Sequence, residues 1–377
     1  MEGKILAETF GHLRDLRARS VAVVVPTYNE RDNVFAFYKA TSSALAELDW
    51  QIIFVDDNSP DGTASVAEEL AIDDRRVRVI VRFHQRGLTS AVLQGVCSAN
   101  TSYVVVTDAD LQHDLCKIPE MLRLLNTDQA DLVIGTRYEE GGSTEGLPNA
   151  FRIWLSSIGT KVARAFVPVS ASDPMSGFFA FRRKKLLPIL AEVDPLGFKI
   201  LFDILLNAGR QIRISEIPYR FRKRHAGSSK LDWRIQWDFL IQIIYHLLKQ
   251  LVPHDLISFL LVGASGAIVE LAMLGLGVAA GAPSRPMQAA AIVAATTWNF
   301  LLNHCLTFHR QLKISADLAV KFLLYASAVA IGIIIDISAA TFSMQKLYAT
   351  ELLASILGVC ADTIWRFAVA KAIIWRL

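Results

Sequence analysis

The chain has 377 residues, of which 53% are apolar, and its mean hydropathy of +0.35 is too high for one ordinary soluble domain. Its net charge of +3 is small and dispersed, which argues against nucleic-acid binding. The four cysteines show neither CxxC nor metal-ligand spacing, so a disulfide framework or a zinc site has no support. Residues 1–20 lack a continuous apolar stretch, so we predict no signal peptide and expect the first domain to stay in the cytoplasm.

Apolar, β-branched runs recur in the first part of the chain, and each ends in a polar cluster. The runs and the clusters that follow them are VAVVV at 21–25 with PTYNE, IIFV at 52–55 with DDNSPDGT, YVVVT at 103–107 with DADLQH, and LVIG at 132–135 with TRY. Helical patterns separate the runs. This order predicts an α/β sheet with ligands held at the strand ends.

Carboxylates dominate the predicted pocket. No GxxxxGK[ST] and no GxGxxG sequence follows any of these strands, so a bound nucleotide is not held by a P-loop or a dinucleotide fingerprint. Asp108 and Asp110 flank one residue at a strand end, and Gln112 follows two positions later. Oxygen ligands at this spacing suit an Mg²⁺ or Mn²⁺ ion that also coordinates a diphosphate. We therefore predict a metal site formed by these three residues.

Two segments are predicted to lie on a bilayer surface. In residues 149–167, large apolar side chains recur at a spacing of three or four, with basic residues between them. Residues 231–251 repeat the pattern and lead towards the first long apolar run. An ordinary core helix is the alternative for each segment. The basic run RFRKRH at 220–225 is interpreted as facing an anion or a membrane.

Four apolar stretches are predicted to span a membrane: 256–281, 287–308, 318–342 and 352–375. An even number of spans places both ends of this region on one side of the membrane. The basic loop at 309–313 shares that side with Lys249 and Arg376, whereas the opposite loops carry Arg285 and Lys346. This bias favours a catalytic domain on the cytoplasmic side.

Ionisable residues inside the predicted spans are costly in hydrocarbon unless they are paired. Asp362 and Arg366 are four residues apart on one helix face, and we interpret them as a local ion pair. For Glu270 and Asp336, a role in lipid handling and an interhelical hydrogen bond both remain open. The small residues of GASGA at 263–267 predict close helix packing.

Seven short motifs stand in a fixed order over residues 20–230: PTYNE, VDDNSPDGT, TDADLQH, GTRY, DPMSGFFAFRR, GFKI and RFRKRHAGSSKL. They resemble the motifs of polyprenyl-phosphate (dolichol-phosphate) mannose synthases, which are family 2 glycosyltransferases. The apolar half, with ISFLLVGASGAIVE and TTWNFLLNHCLTF, is similar to the GtrA-like four-helix domain fused to some of these enzymes. The resemblance implies a GT-A-like α/β domain over 1–230, an interfacial helix over 231–251 and an all-α transmembrane domain over 252–377.

The resemblance also implies roles for particular residues. The nucleotide sugar would be bound by Pro26, Tyr28, Glu30, Asp56, Asp57, Asp108, Asp173 and Ser176. The metal would be bound by Asp108, Asp110 and Gln112. The acceptor phosphate, or alternatively the donor diphosphate, would be bound by Arg137, Arg152, Ser156, Arg222, Arg224 and Lys230. The catalytic residues among these would be Asp110, Arg137, Arg224 and Lys230. One departure is visible, because the family pattern KxGLGxA reads QRGLTSA at 85–91, without the second glycine.

By this resemblance we expect an enzyme that transfers a mannosyl group from GDP-mannose to a polyprenyl (dolichyl-type) monophosphate. The reaction would be one inverting in-line displacement assisted by Mg²⁺ or Mn²⁺. Its partners would be the nucleotide sugar, the lipid and the membrane. One alternative is transfer of glucose or another sugar from a UDP-sugar, and another is a lipid-linked-sugar flippase or membrane scaffold. The intact DAD, GTRY and GSSK sequences argue against an inert domain.

Overall fold

The computed structural model describes residues 20–83, 86–138, 159–195, 197, 199–222, 224–225, 233–248, 251–281, 283–308, 316–346 and 350–376. The chain divides into two compact units, Met1–Leu231 and Asp232–Leu377. The first unit contains the predicted sheet, and the second contains the predicted spans.

A seven-stranded sheet forms the centre of the first unit. Its strands are β1 (Val21–Thr27), β2 (Trp50–Asp56), β3 (Val77–Val81), β4 (Tyr103–Val106), β5 (Leu132–Thr136), β6 (Phe179–Arg182) and β7 (Ile214–Pro218). Their order across the sheet is β3-β2-β1-β4-β6-β5-β7. Only β6 is antiparallel to its neighbours, β4 and β5. The carboxyl ends of β1, β2, β4, β5 and β7 therefore meet at one edge, where β6 begins.

Helices flank this sheet. They are α1 (Arg31–Ala44), α2 (Thr63–Asp73), α3 (Leu88–Ser98), α4 (Ile118–Asn126), α5 (Arg183–Leu190) and α6 (Ile200–Ala208). Residues 21–25 of β1 are fully buried, as expected for a parallel strand covered on both faces. A side chain at Gly95 of α3 would overlap Val24 of β1, so this helix packs very close to the sheet. The α/β fold predicted from the strand runs is confirmed.

In the described residues of the second unit, all regular secondary structure is helical. It contains α7 (Trp233–Leu247), α8 (His254–Ala279), α9 (Ser284–Leu302), α10 (Ala316–Lys346) and α11 (Glu351–Val369), with π-helical turns at Asn303–Thr307 and Ala370–Ile374. Four segments are long and apolar enough to cross a membrane: His254–Ala279, Arg285–Thr307, Ala316–Gln345 and Glu351–Ile374. They match the four predicted spans, and the protein is therefore a membrane protein.

Close contacts at glycines join α10 to α11. A Cβ added at Gly332 would overlap the carboxylate of Asp362, and one added at Gly358 would overlap the carboxylate of Asp336. The predicted pair is present, with Arg366 Nε 2.5 Å from Asp362 Oδ1. The carboxylates thus face the neighbouring helix rather than lipid, which is the arrangement expected for charged groups in spans.

A series of hydrogen bonds connects α7 to three spans. Trp237 Nε1 donates to Ser258 Oγ at 2.9 Å, and Ser258 Oγ lies 2.8 Å from Thr307 Oγ1. Thr307 Oγ1 donates to Asn303 Oδ1 at 2.8 Å, and Asn303 Nδ2 lies 3.5 Å from the Tyr325 hydroxyl. The placement of α7 on a bilayer surface stays a prediction. Of the other predicted surface segment, residues 159–166 are helical and residues 149–158 lie outside the described residues.

Candidate active site

The carboxylate of Asp56, at the end of β2, joins the loops that follow β1 and β2. Its Oδ1 accepts hydrogen bonds from Thr27 Oγ1 (3.1 Å) and Ser59 Oγ (2.5 Å), and its Oδ2 accepts one from the Ser59 N–H (2.8 Å). The Asn29 N–H in turn donates to Ser59 Oγ at 2.9 Å. These contacts hold the PTYNE loop against the DDNSPDGT loop, where the resemblance implies the nucleoside site.

Asp57 forms a buried ion pair with Arg82, a residue to which the sequence assigned no role. Arg82 Nε lies 2.7 Å from Asp57 Oδ1, and Arg82 Nη1 donates to Ser90 Oγ at 2.8 Å. The Gly87 N–H donates to Asp57 Oδ2 at 2.8 Å. Gly87 has a φ of 141°, a backbone conformation that favours glycine. Asp57 therefore fixes Gly87 directly and Ser90 through Arg82, using both of its oxygens.

The PTYNE loop carries the other residues predicted to bind the nucleoside. Pro26 lies within β1, and the Arg86 guanidinium carbon lies 4.8 Å from the centre of the Tyr28 ring. Glu30 Oε2 accepts a hydrogen bond from Asn33 Nδ2 at 2.6 Å. Direct contact between these residues and a nucleotide sugar stays a prediction.

The three predicted metal ligands lie on the loop that follows β4. The Asp108 side chain is 46% exposed, whereas that of Asp110 is 5% exposed. Asp110 Oδ1 accepts a hydrogen bond from the Gln112 N–H at 3.1 Å, and its Oδ2 lies 2.9 Å from Arg224 Nη2. Gln112 Nε2 donates to the Arg222 carbonyl at 3.1 Å, which leaves the Gln112 side-chain oxygen to act as a ligand. We call residues 108–113 the metal loop.

The basic run lies directly against the metal loop. The Arg222 N–H donates to the Gln112 carbonyl at 2.9 Å, and the His225 N–H donates to the Asp110 carbonyl at 3.1 Å. Arg222 Nη2 also pairs with Asp114 Oδ1 at 3.0 Å. The sequence predicted that this run faces an anion or a membrane. In the structure Arg222, Arg224 and His225 lie beside the carboxylates that would hold a metal.

His113 supports the metal loop from the protein interior. Its Nδ1 accepts a hydrogen bond from the Asp108 N–H at 3.3 Å and lies 2.8 Å from Thr107 Oγ1, while its ring stacks on Phe178. Burial lowers the pKa of His113 to about 4, so the ring is neutral at physiological pH. Because Nδ1 is the acceptor, the proton is on Nε2, which faces Asp108 Oδ2 at 3.8 Å.

The two carboxylates of the metal loop lie close enough to affect each other's protonation. Burial raises the pKa of Asp110, and the nearby Asp108 carboxylate raises it further. Among the described residues, no three His, Cys, Asp or Glu side chains converge on a common point. The protein would thus supply two carboxylates and one amide oxygen. This donor set fits a divalent ion such as Mg²⁺, which commonly uses one or two carboxylates and takes its remaining ligands from water and substrate phosphates.

Arg137, in the loop after β5, is held by Asp173. Arg137 Nε lies 2.7 Å from Asp173 Oδ2 and its Nη2 lies 3.1 Å from Oδ1, with the two side chains 13% and 0% exposed. Burial opposes the positive charge, but Asp173 outweighs this effect and raises the pKa of Arg137. Nη1 of Arg137 has no hydrogen bond within the described ranges. One edge of a fixed guanidinium is therefore available to an anion.

The DPMSG loop passes between Asp108 and Arg137. A Cβ added at Gly177 would lie 3.2 Å from Asp108 Oδ2. Ser176 Oγ donates to the Gly135 carbonyl at 2.7 Å and accepts from the Phe178 N–H at 3.2 Å. The buried Ser176 therefore fixes this loop, and its contact with a sugar stays a prediction, as does that of Asp173.

Lys199, in the GFKI motif, has a position that the sequence did not predict. Burial and the charge of Arg137 lower the pKa of Lys199, whereas Asp108 and Asp173 act in the opposite direction. The protein atoms packed around the half-exposed Asp108 carboxyl raise its pKa by desolvation, while Lys199, Arg224 and Arg137 all lower it. Three basic side chains thus lie within electrostatic range of Asp108. Three predicted acceptor-site residues, Arg152, Ser156 and Lys230, lie outside the described residues.

Comparison with known proteins agrees with this fold and site. Residues 22–189 match the family Glycosyl transferase family 2, and residues 258–375 match the GtrA/DPMS transmembrane domain. The chain is therefore a glycosyltransferase fused to a membrane domain.

Similar proteins from several organisms are named dolichol-phosphate mannosyltransferase. The protein from Pyrococcus furiosus is 37% identical over 76% of this chain and 81% of the relative. The protein from Saccharomyces cerevisiae is 35% identical over 63% of this chain and 91% of the relative. A polyprenol monophosphomannose synthase of Mycolicibacterium smegmatis is 34% identical over 56% and 80%. The chain belongs to the dolichol-phosphate mannosyltransferase family, as its motifs predicted.

Proposed function

We propose that this enzyme transfers a mannosyl group from GDP-mannose to the phosphate of a polyprenyl (dolichyl-type) lipid, with inversion at the sugar carbon. The observation that carries the proposal is the meeting of an acidic metal loop and the basic residues Arg137 and Arg224 at one sheet edge. Transfer of a sugar from a nucleoside diphosphate to a lipid phosphate needs acidic groups to hold a metal ion and basic groups to hold phosphate. The names of the relatives support mannose as the sugar and a polyprenyl phosphate as the acceptor.

We further propose that Asp108, Asp110 and the side-chain oxygen of Gln112 hold Mg²⁺ or Mn²⁺ together with the donor diphosphate. The bound ion would offset negative charge on the departing nucleoside diphosphate. The protein's own contribution is to fix the loop. His113 accepts a hydrogen bond from the Asp108 N–H. The backbone of the basic run donates hydrogen bonds to the Asp110 and Gln112 carbonyls.

Arg137 is proposed to orient the acceptor phosphate. The other residues proposed to bind this phosphate, by resemblance, are Arg152, Ser156, Arg222, Arg224 and Lys230. A phosphate monoester has a second pKa of about 6 and is largely dianionic at neutral pH. It has no proton to lose during attack, so a protein base is not required. Asp173 is bonded to Arg137 through both oxygens, which supports an orienting role for this carboxylate rather than a role as a base.

The catalytic unit is proposed to face the cytoplasm. The basic residues Lys249, Arg310, Lys313 and Arg376 cluster by sequence at one end of the spans, and Arg285 and Lys346 occur at the other. Positive residues are enriched on the cytoplasmic side of membrane proteins. Labelling of single cysteines introduced beside these positions, in sealed vesicles of known orientation, tests the topology.

A donor screen tests the reaction. Purified full-length protein, a short-chain polyprenyl phosphate and Mg²⁺ or Mn²⁺ are incubated with labelled GDP-mannose, UDP-glucose and other nucleotide sugars, and the anomeric configuration of the product is read by NMR. We expect mannosyl transfer from GDP-mannose with inverted configuration, and no transfer in EDTA. Preference for a UDP-sugar would contradict the donor assignment. Binding without any transfer would support a flippase or scaffold.

A further inference from the structure

Glu216, on β7, is the hub of a hydrogen-bond network beside the Arg137–Asp173 pair. Its Oε1 and Oε2 lie 2.8 and 2.9 Å from the Ser172 N–H nitrogen. Oε1 also accepts from Ser172 Oγ at 2.8 Å and from the Asp173 N–H at 3.4 Å. One carboxylate therefore holds the backbone that carries Asp173.

The same network reaches the strand end that carries Arg137. Ser172 Oγ lies 2.5 Å from Thr136 Oγ1, and Thr136 Oγ1 accepts the Tyr138 N–H at 3.2 Å. Thr136 and Tyr138 are the residues on either side of Arg137 in the sequence. Glu216 thus fixes both the carboxylate that grips Arg137 and the backbone from which Arg137 extends.

A third connection leads to the helical segment 159–166. Arg164 of this segment donates through Nε to the Ser172 carbonyl at 2.8 Å. The guanidinium carbons of Arg137 and Arg164 lie 5.3 and 5.9 Å from the centre of the Tyr138 ring, close enough for cation–π contact. Ser172 is therefore bonded through its N–H to β7, through its hydroxyl to β5 and through its carbonyl to this segment.

We propose that Glu216 is a positioning residue for the acceptor phosphate: through Ser172 it fixes the Asp173–Arg137 pair and so sets the direction of the open edge of the guanidinium. The proposal rests on the proposed function of Arg137. A guanidinium held in one orientation loses little freedom when it forms paired hydrogen bonds to a phosphate. Loosening the network costs acceptor affinity, although Glu216 itself touches no substrate.

The substitution Glu216→Gln tests this role with little change of shape. An amide oxygen still accepts hydrogen bonds, but the amide NH₂ group cannot, and the negative charge is lost. Hydrogen bonds to charged groups are strong enough that we expect KM for polyprenyl phosphate to rise about tenfold. The turnover number at saturating acceptor and the donor affinity should stay close to those of the unchanged protein. Glu120→Gln, which alters a partly exposed pair with Lys117, is the matched control.

A double-mutant cycle separates positioning from general destabilisation. If Glu216 acts through Asp173, then Glu216→Gln should add little to the acceptor defect of Asp173→Asn. Additive defects would contradict this route. If Glu216→Gln fails to fold, Ser172→Ala removes the hydroxyl contacts to Glu216 and Thr136 while keeping the backbone, and it should raise acceptor KM in the same way.

A measurement of acceptor binding alone tests the positioning role of Glu216 separately from the proposed reaction. Affinity for a short-chain polyprenyl phosphate is measured by calorimetry for the unchanged protein and for Glu216→Gln, without a sugar donor. We expect the variant to bind the lipid phosphate about tenfold more weakly. Equal affinity in two folded proteins would overturn the positioning role, whereas absence of mannosyl transfer with this affinity difference present would overturn only the proposed reaction.

Discussion

Arg224 Nη2 lies 2.9 Å from Oδ2 of Asp110, so a residue predicted to bind phosphate is paired with a residue predicted to bind a metal. A divalent ion and a guanidinium compete for the same carboxylate oxygen because both need its negative charge. If a divalent ion binds at Asp110, we expect the Arg224 side chain, which is 25% exposed, to be released for a phosphate. The pair would then couple donor binding to the acceptor site.

The substitution Arg224→Ala should tighten divalent-ion binding and slow transfer. Removing the guanidinium takes away both a competitor for Asp110 and a repelling positive charge, and it also removes a phosphate contact. We expect several-fold higher affinity for Mn²⁺ in the presence of nucleoside diphosphate, measured by electron paramagnetic resonance. Arg123→Ala on the exposed face of α4 is the control. Weaker Mn²⁺ binding by Arg224→Ala would contradict the competition.

The transfer rate at low acceptor concentration should rise through about pH 6 and then level off, because the lipid phosphate becomes dianionic there. A phosphonate analogue, whose second pKa is higher, should move the rise to higher pH. The measurement is the initial rate as a function of pH with each acceptor. A rise that stays at the same pH with both acceptors would point to a titrating group on the protein.

Asp173→Asn should weaken acceptor binding and destabilise the catalytic unit. Removing one charge of a buried, doubly hydrogen-bonded ion pair leaves the other charge uncompensated. In typical cases this lowers the free energy of unfolding by about 3 kcal/mol. Acceptor affinity and thermal unfolding are measured together, with Asp32→Asn on the exposed face of α1 as the control. A roughly hundredfold loss of turnover with unchanged acceptor affinity would instead indicate a general base.

Gly332→Ala should destabilise the helical unit, whereas Gly275→Ala should not. A Cβ at Gly332 would overlap the Asp362 carboxylate, while a Cβ at Gly275 meets no atom within 4 Å. Overpacking of this kind costs about 1–3 kcal/mol. Thermal unfolding of the two variants in the same detergent provides the comparison, and equal stability would argue against the close packing of α10 on α11.

The sheet and the edge at which its polar residues gather could be predicted because their signals are local. Buried parallel strands are continuous apolar runs, and polar residues directly follow them, as Asp108 follows β4. The spans were predictable for the same reason, since a long apolar run is its own signal. The pair Asp362 and Arg366 was predictable because four residues make one helical turn.

The contacts that shape the site could not be predicted because they join distant parts of the chain. Arg82 meets Asp57 across 25 positions, and Glu216 meets Ser172 across 44. Each depends on which strands become neighbours, and nothing in a strand's own sequence states that order. Lys199 lay in a recognised motif, but its proximity to Asp108 and Arg137 depends on the packing of α6.

The single antiparallel strand, β6, separates β4 from β5 at the sheet edge where the candidate site lies. Neighbouring strands lie about 4.8 Å apart, so the ends of β4 and β5, which flank β6, are about 10 Å apart. Because β6 begins at this edge, the short DPMSG loop that precedes β6 lies between the ends of β4 and β5. The separation between the metal loop after β4 and Arg137 after β5 is thus set by the order of the strands, and β6 with its leading loop fills the space between them.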